Sequence, residues 1–198
     1  MENKKTSLKD KLIPLSLSVI AILLDQITKA LVVKNIPLLT DFSADESERI
    51  IPIFGDFFRL IHARNNAVAF SIGSGLSSNV RAILFCVIPI LVVAAVYILY
   101  FKNNDFTKVQ RWSICGILGG GIGNLIDRVF RPAGVVDFLD CIWFGISDSK
   151  ISFLQWQRWP TFNVADSFVV VCGIMFIVSF IVLLVRDSKK IKASKKDS

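Results

Sequence analysis

Apolar residues along this chain gather into four long runs, separated by polar connections of unequal length. The runs cover about residues 12–33, 80–101, 112–130 and 164–185. Each is close to the roughly 20 helical residues that a hydrocarbon core about 30 Å thick requires, so the pattern predicts four transmembrane helices. The second run is the most uniform, with Arg81 at its edge as its only charge. Basic residues precede the first run, as they would a signal peptide. No small-residue cleavage site stands out, however, and the run continues through Gln26 and Thr28, which predicts an uncleaved span. Residues 50–53 and 57–61 are short apolar pieces broken by Gly55 and Asp56, and they predict strands near the membrane surface. No internal repeat or low-complexity linker divides the chain, so residues 1–198 are expected to form one domain.

Basic residues then orient the spans. Lys4, Lys5, Lys9 and Lys11 precede the first, and Lys102, Lys108 and Arg111 lie in the short connection between the second and third. Arg186, Lys189, Lys190, Lys192, Lys195 and Lys196 mark the tail 186–198. These three segments share one side only if the number of spans is even and both termini are cytoplasmic. The longer connections, about residues 34–79 and 131–163, then lie outside, the first with an acidic stretch at Asp41, Asp45, Glu46 and Glu48.

Composition agrees with lipid as the solvent. Of 198 residues, 53% are apolar and 20% charged, with a mean hydropathy of +0.58. Soluble domains run at about 45–50% apolar and about 25% charged. Sparse charge also excludes extended disorder. The net charge of +7 raises nucleic acid as a partner. No aromatic residue or motif accompanies the tail lysines, so no nucleic-acid partner is expected and the tail reads as an orientation signal or a contact with anionic lipid. Cys86, Cys115, Cys141 and Cys172 lack metal or disulfide spacing and read as small buried apolar residues.

Several polar residues fall at one membrane depth. Asp25 and Lys29 lie in the outward half of the first helix, four residues apart and so on one face. Asn124, Asp127 and Arg128 end the third run, and Asp137 follows it. Asn163 and Asp166 open the fourth, and Arg64, Asn65 and Asn66 precede the second. Ionisable groups inside a membrane are costly, so convergence of this kind points to a functional site.

Structural readings compete at each position. Arg128 would neutralise the neighbouring Asp127, and Asn163 would cap the fourth helix. Gly116/Gly120 and Gly119/Gly123 have the spacing that lets membrane helices approach closely. Trp143, Phe144, Phe153, Trp156 and Trp159 suit the headgroup layer, with an aromatic substrate pocket as the alternative. The single histidine, His62, has no evident Ser or Cys nucleophile motif to serve, and a two-His metal site is impossible within one chain. Two aspartates sharing a proton could instead activate water and protonate a leaving group. The sequence puts Asp137 and Asp166 in one layer without showing that they meet.

Five segments in order carry a resemblance: Asp25-Gln26-Ile27-Thr28-Lys29, Asn65-Asn66-Ala67-Val68-Ala69-Phe70-Ser71, Gly120-Gly121-Ile122-Gly123-Asn124-Leu125-Ile126-Asp127-Arg128, Gly134-Val135-Val136-Asp137-Phe138 and Phe162-Asn163-Val164-Ala165-Asp166. Together, over about residues 12–185, the chain resembles the bacterial lipoprotein signal peptidases, the type II signal peptidases. The resemblance implies an intramembrane aspartyl endopeptidase that removes signal peptides from diacylglyceryl-modified prolipoproteins, cutting before the lipidated cysteine. It implies Asp137 and Asp166 as the catalytic pair, Asn65, Asn124, Arg128 and Asn163 as lining or supporting residues, and Asp127 as a structural acid. Asp25, Lys29, Gly116, Gly120 and Ala165 fall at matching positions.

The implied fold is an all-α membrane protein of four transmembrane helices, its outer loops forming a small β-rich extracytoplasmic cradle and a surface helix. No metal or organic cofactor is expected. Lipidated prolipoproteins, membrane lipid and globomycin-type inhibitors are the expected partners of a monomer in the bacterial cytoplasmic (inner) membrane, with its active site at the outer leaflet. Two features depart from the family: Ala67 stands where glycine is common, and the first outer loop looks longer. The rival class is a small proton- or ion-coupled transporter using Asp25, Asp127 and Asp166. It predicts polar groups spread through the bilayer, whereas the second run and the inner half of the fourth are almost uncharged.

Overall fold

In lipid a backbone must satisfy its own hydrogen bonds, and the apolar runs do so as helices. The computed structural model describes residues 6–65, 77, 80, 83–143 and 156–194. Asn66, Ala67, Phe144 and Phe153 lie outside the described residues. A short helix α1 (Leu8–Leu12), capped by Ser7, leads through Pro14 into α2 (Leu15–Asn35). After the four-residue turn α3 (Glu46–Arg49), the first long connection forms β1 (Ile50–Phe54) and β2 (Phe58–Asn65). A π-helical turn at Ile83–Val87 opens into α4 (Ile88–Lys102). The helix α5 (Lys108–Phe130) is followed by β3 (Val135–Cys141) and by α6 (Val164–Ser194).

Among the described residues, three helical stretches are long and apolar enough to cross a membrane: Leu8–Asn35, Ile83–Lys102 and Val164–Lys190. The third run of the sequence, α5, is not among them. It packs along α6 and α2 and, less extensively, on α4, and most of what it buries is small or polar. A helix enclosed by other helices needs little apolar surface of its own. It also begins at Lys108 and not near residue 112, because Thr107 and Gln110 form a reciprocal cap: the Gln110 amide donates to Thr107 Oγ1 at 3.2 Å and the Thr107 amide to Gln110 Oε1 at 3.0 Å. The last helix runs on to Ser194, since lysines propagate a helix beyond the apolar stretch.

The strands form one antiparallel sheet in the order β1-β2-β3, so both long connections contribute to it. It covers the end of the bundle where α2 and α5 finish and α6 begins. Val32 and Ile36 meet Val136 and Phe138 in a buried cluster, flanked by Ile51, Leu60, Leu139 and Val164. His62 Nδ1 donates to the Ile36 carbonyl at 2.9 Å. Asp140, buried, binds Arg59 and Arg158 at 2.7 Å each, and Arg158 also donates to the Asp56 carbonyl at 3.0 Å. That trio fastens the second connection to the β1–β2 hairpin. Among the described residues of the two long connections, α3, a single turn, is the one helical element.

At the opposite end, Lys11 Nζ donates to the Phe101 carbonyl at 2.6 Å and to Asn104 Oδ1 at 2.8 Å, and Tyr100 donates to the Lys11 carbonyl at 2.7 Å. These bonds close the C-terminus of α4 against the chain entry. All four cysteines are free. Cys115 and Cys172 are buried as expected, whereas Cys86 and Cys141 are only half-buried, Cys141 because it ends an outer strand.

Candidate active site

Strand alternation delivers the first acid. In β3, Val136 and Phe138 face the buried cluster over the helix ends, so Val135 and Asp137 face the other way. They look into a cavity of about 210 Å³ lined also by Asn65, Asn124, Arg128, Trp159, Pro160, Thr161, Phe162 and Asp166. Helix capping delivers the second acid. Asn163 precedes α6, and its side-chain oxygen accepts the Asp166 amide at 3.0 Å while Asp166 Oδ2 accepts the Asn163 amide at 3.0 Å. The cap thereby fixes the carboxylate of Asp166 at the bundle end.

Asparagines join the two acids. Asn163 Nδ2 donates to Asp137 Oδ1 at 2.7 Å and to Asn124 Oδ1 at 3.0 Å. Asn65 Nδ2 donates to Asp137 Oδ2 at 3.0 Å, and Asn124 Nδ2 to Asp166 Oδ1 at 2.7 Å. Asn163 is fully buried. The capping reading of Asn163 holds, and the same side chain also bridges to Asp137. Among the described residues neither acid forms an ion pair. Burial pushes Asp137 up to about 6; the charge of Asp166 adds to the rise, and the amide donors Asn65 and Asn163 oppose it.

Behind this pair lies a closed ionic cluster. Lys29 Nζ sits 2.8 Å from Asp25 Oδ2, 3.0 Å from Asp127 Oδ2 and 2.9 Å from Asn124 Oδ1, with all three ionic side chains fully buried. Asp25 Oδ1 accepts the Ala165 amide at 3.0 Å, and Asp127 Oδ2 the Val136 amide at 3.1 Å. The cluster thus ties α2 and α5 to the residues adjoining both acids of the cavity. The sequence pairing of Asp25 with Lys29 was visible in their spacing. The neutralisation of Asp127 by Arg128 is corrected: Lys29 and Arg131, the latter at 3.2 Å, pair with Asp127, and Arg128 lines the cavity instead. On a helix the residue next to Asp127 points to another face, whereas Arg131, four residues on, shares its face.

Glycines make these approaches possible. A Cβ at Gly120 would strike the Ala165 carbonyl oxygen, and one at Gly116 would strike Cys172 Sγ. One at Gly123 would sit 2.7 Å from Asp25 Oδ2, and one at Gly119 2.8 Å from the Ser18 backbone. So Gly116 and Gly120 admit α6, while Gly119 and Gly123 admit α2. Trp159 lines the cavity, which favours the aromatic-pocket reading for that residue over interfacial anchoring. It packs against Trp143 and Trp156, ring centroids 4.6 Å and 6.4 Å away. Gln26 donates to Gly123 O at 3.1 Å and to Asp127 Oδ1 at 3.2 Å, a site contact whose one sequence signal is its place between Asp25 and Lys29. Among the described residues no group of three or more His, Cys, Asp or Glu side chains is placed to hold a metal.

The helices and this cavity define an integral membrane protein with a polar pocket built at one end of its bundle. A profile of the family described as signal peptidase (SPase) II matches residues 17–182, and the chain belongs to that family. It is 44% identical over 194 residues to a lipoprotein signal peptidase of Treponema denticola, covering 98% of this chain and 100% of that protein. A lipoprotein signal peptidase of Treponema pallidum is 40% identical over 173 residues, covering 87% of this chain and 85% of that one. One of Borrelia duttonii is 45% identical over 159 residues, covering 80% and 84%. A bacterial membrane enzyme solved at 2.3 Å by the in meso method shares the fold, with a TM-score of 0.67, 24% identity and 94% coverage of both chains.

Proposed function

We propose that this protein removes the signal peptide from lipid-modified prolipoproteins by aspartyl chemistry, with Asp137 and Asp166 as the pair. The observation that carries the reading is the bridge of Asn163 to both acids on the wall of one cavity. Asp137, raised to about 6 by burial beside Asp166, is the member that holds the shared proton as substrate excludes water. Asp166 takes a proton from the attacking water, whose oxygen bonds to the scissile carbonyl carbon while Asp137 protonates the carbonyl oxygen. The tetrahedral diol then collapses: its hydroxyl returns a proton, the amide nitrogen takes one, and the C–N bond breaks. The products are the signal peptide's new carboxyl terminus and an amino terminus at the lipid-bearing cysteine.

In this reading the chain is one peptidase domain with four spans, α5 being the enclosed fourth. Both termini are cytoplasmic, and the sheet lies outside the bacterial inner membrane as a cradle over the outer leaflet. A substrate whose acyl chains sit in that leaflet presents its peptide bond at the depth of the cavity. Arg128 and Trp159 are the side chains that would meet the peptide. The test is cleavage of a diacylglyceryl-modified prolipoprotein by the purified monomer in the presence of a chelator, with globomycin as inhibitor. Equal cleavage of the unmodified precursor, or indifference to globomycin, would overturn the substrate assignment. Labelling of Lys190→Cys but not Ser43→Cys by an impermeant reagent on intact cells would overturn the orientation.

A further inference from the structure

The end of the bundle remote from the carboxylates carries a second cavity, of about 420 Å³, between the start of α5 and the last turns of α6. Its walls are Val109, Met175, Val178, Val182 and Leu183, with Thr107 and Ser179 between them and Arg186 at one end. Met175, Val178, Ser179, Val182 and Arg186 recur at three- and four-residue intervals, so they form one face of α6, and Lys189 and Lys190 continue that face. Roughly 33 Å of helix separate Val164, beside the carboxylates, from Arg186, close to the thickness of a hydrocarbon core. Arg186 therefore stands at the opposite membrane surface, where an apolar groove opens toward a cation. Lys189 and Lys190 add two more positive charges on that face of α6, beside the acid Asp187; Lys108, at the start of α5, is partly offset by the nearby Asp10.

We propose that this groove binds one anionic phospholipid, an acyl chain lying along Val178 and Val182 and the phosphate on Arg186. Charge complementarity selects the occupant. A zwitterionic lipid would fill the apolar walls equally well, but it would carry its own cation to a mouth already rich in them. One basic residue near an anionic lipid is worth about 1 kcal/mol, or roughly fivefold in binding.

Native mass spectrometry of the full-length protein, taken from mixed phosphatidylglycerol and phosphatidylcholine nanodiscs, tests the proposal. Wild type should retain one phosphatidylglycerol in preference to phosphatidylcholine. Arg186→Gln should lower that preference roughly fivefold, and Arg186→Lys should keep most of it. Val182→Trp should fill the groove and lose the bound lipid of either kind. Lys192→Gln, exposed on another face of α6, should leave retention unchanged. All four variants lie away from the carboxylate cavity and should cleave substrate in detergent as wild type does. Equal retention of the two lipids by wild type overturns the proposal. So does undiminished phosphatidylglycerol on Arg186→Gln, or a Lys192→Gln loss as large as that of Arg186→Gln, which would mean diffuse attraction to the tail.

Discussion

Asn124 joins two buried polar clusters that are built on opposite rules. On one side its carbonyl accepts from Lys29, whose charge is cancelled by Asp25 and Asp127. Every oxygen of those two acids has a partner, cationic, amide or backbone. On the other side its amide donates to Asp166, which with Asp137 is held by asparagines and backbone amides and by no salt bridge among the described residues. A cation within 3 Å favours the ionised form of a carboxylate. A neutral amide donor fixes position with a weaker claim on charge. Ion pairs tie the helices together, whereas neutral amides position the two acids that, in the proposed function, exchange a proton.

The largest expected effect breaks the second cluster. Asp137→Asn or Asp166→Asn keeps the shape and loses the shuttled proton, so either should lower turnover by about a thousandfold or more while melting like a folded protein. If the pair acts as a unit, as proposed, the double variant should be no slower than either single one. Turnover within tenfold of wild type in either single variant would remove that residue from the chemistry. Next comes the first cluster. Lys29→Met leaves Asp25 and Asp127 facing each other without their shared cation, and breaking a buried pair costs about 3–5 kcal/mol. Folded yield in detergent should fall with activity. A Lys29→Met protein that accumulates and melts normally but does not turn over would move Lys29 into the catalytic machinery.

The asymmetry between the clusters was only partly legible in the sequence. Depth was readable, because hydropathy placed Asp25, Asn124, Asp127, Asp137 and Asn163 at one level before any contact was known. Asp25 and Lys29 were readable as partners because helix periodicity is local. The partners of Asp127 were not, since its nearest cation in sequence, Arg128, turns to the cavity while Lys29 arrives from another helix. Strand β3 was hidden for a related reason. Its alternation of Val136 and Phe138 against Asp137 is short, and its pairing with β2 across some 70 residues leaves no local trace. The start of α5 is written in the sequence as Thr107-Lys108-Val109-Gln110, a capping box that hydropathy does not reveal, because apolar runs locate membrane edges and not helix ends. The Asp140 lock with Arg59 and Arg158 joins residues from three separate stretches and had no signal at all.

The smallest effect sharpens the comparison by using pH on stability instead of activity. Asp137 titrates near 3.8 when unfolded and at about 6 in the fold, so the native state binds its proton more tightly. The contribution of this group to stability is complete below about pH 4 and is lost as pH rises through about 6. The loss amounts to at most about 3 kcal/mol at pH 8, from 1.36 kcal/mol for each pH unit separating the two values. Asp137→Asn cannot ionise and escapes that loss. That variant should therefore melt at a higher temperature than wild type at about pH 8 and close to it at about pH 3.5. Asp127→Asn should melt below wild type, because it leaves Lys29 and Arg131 without the carboxylate they bind. Parallel melting curves for Asp137→Asn and wild type across that range would show that the amide-held acid is no less committed to its charge than the ion-paired one.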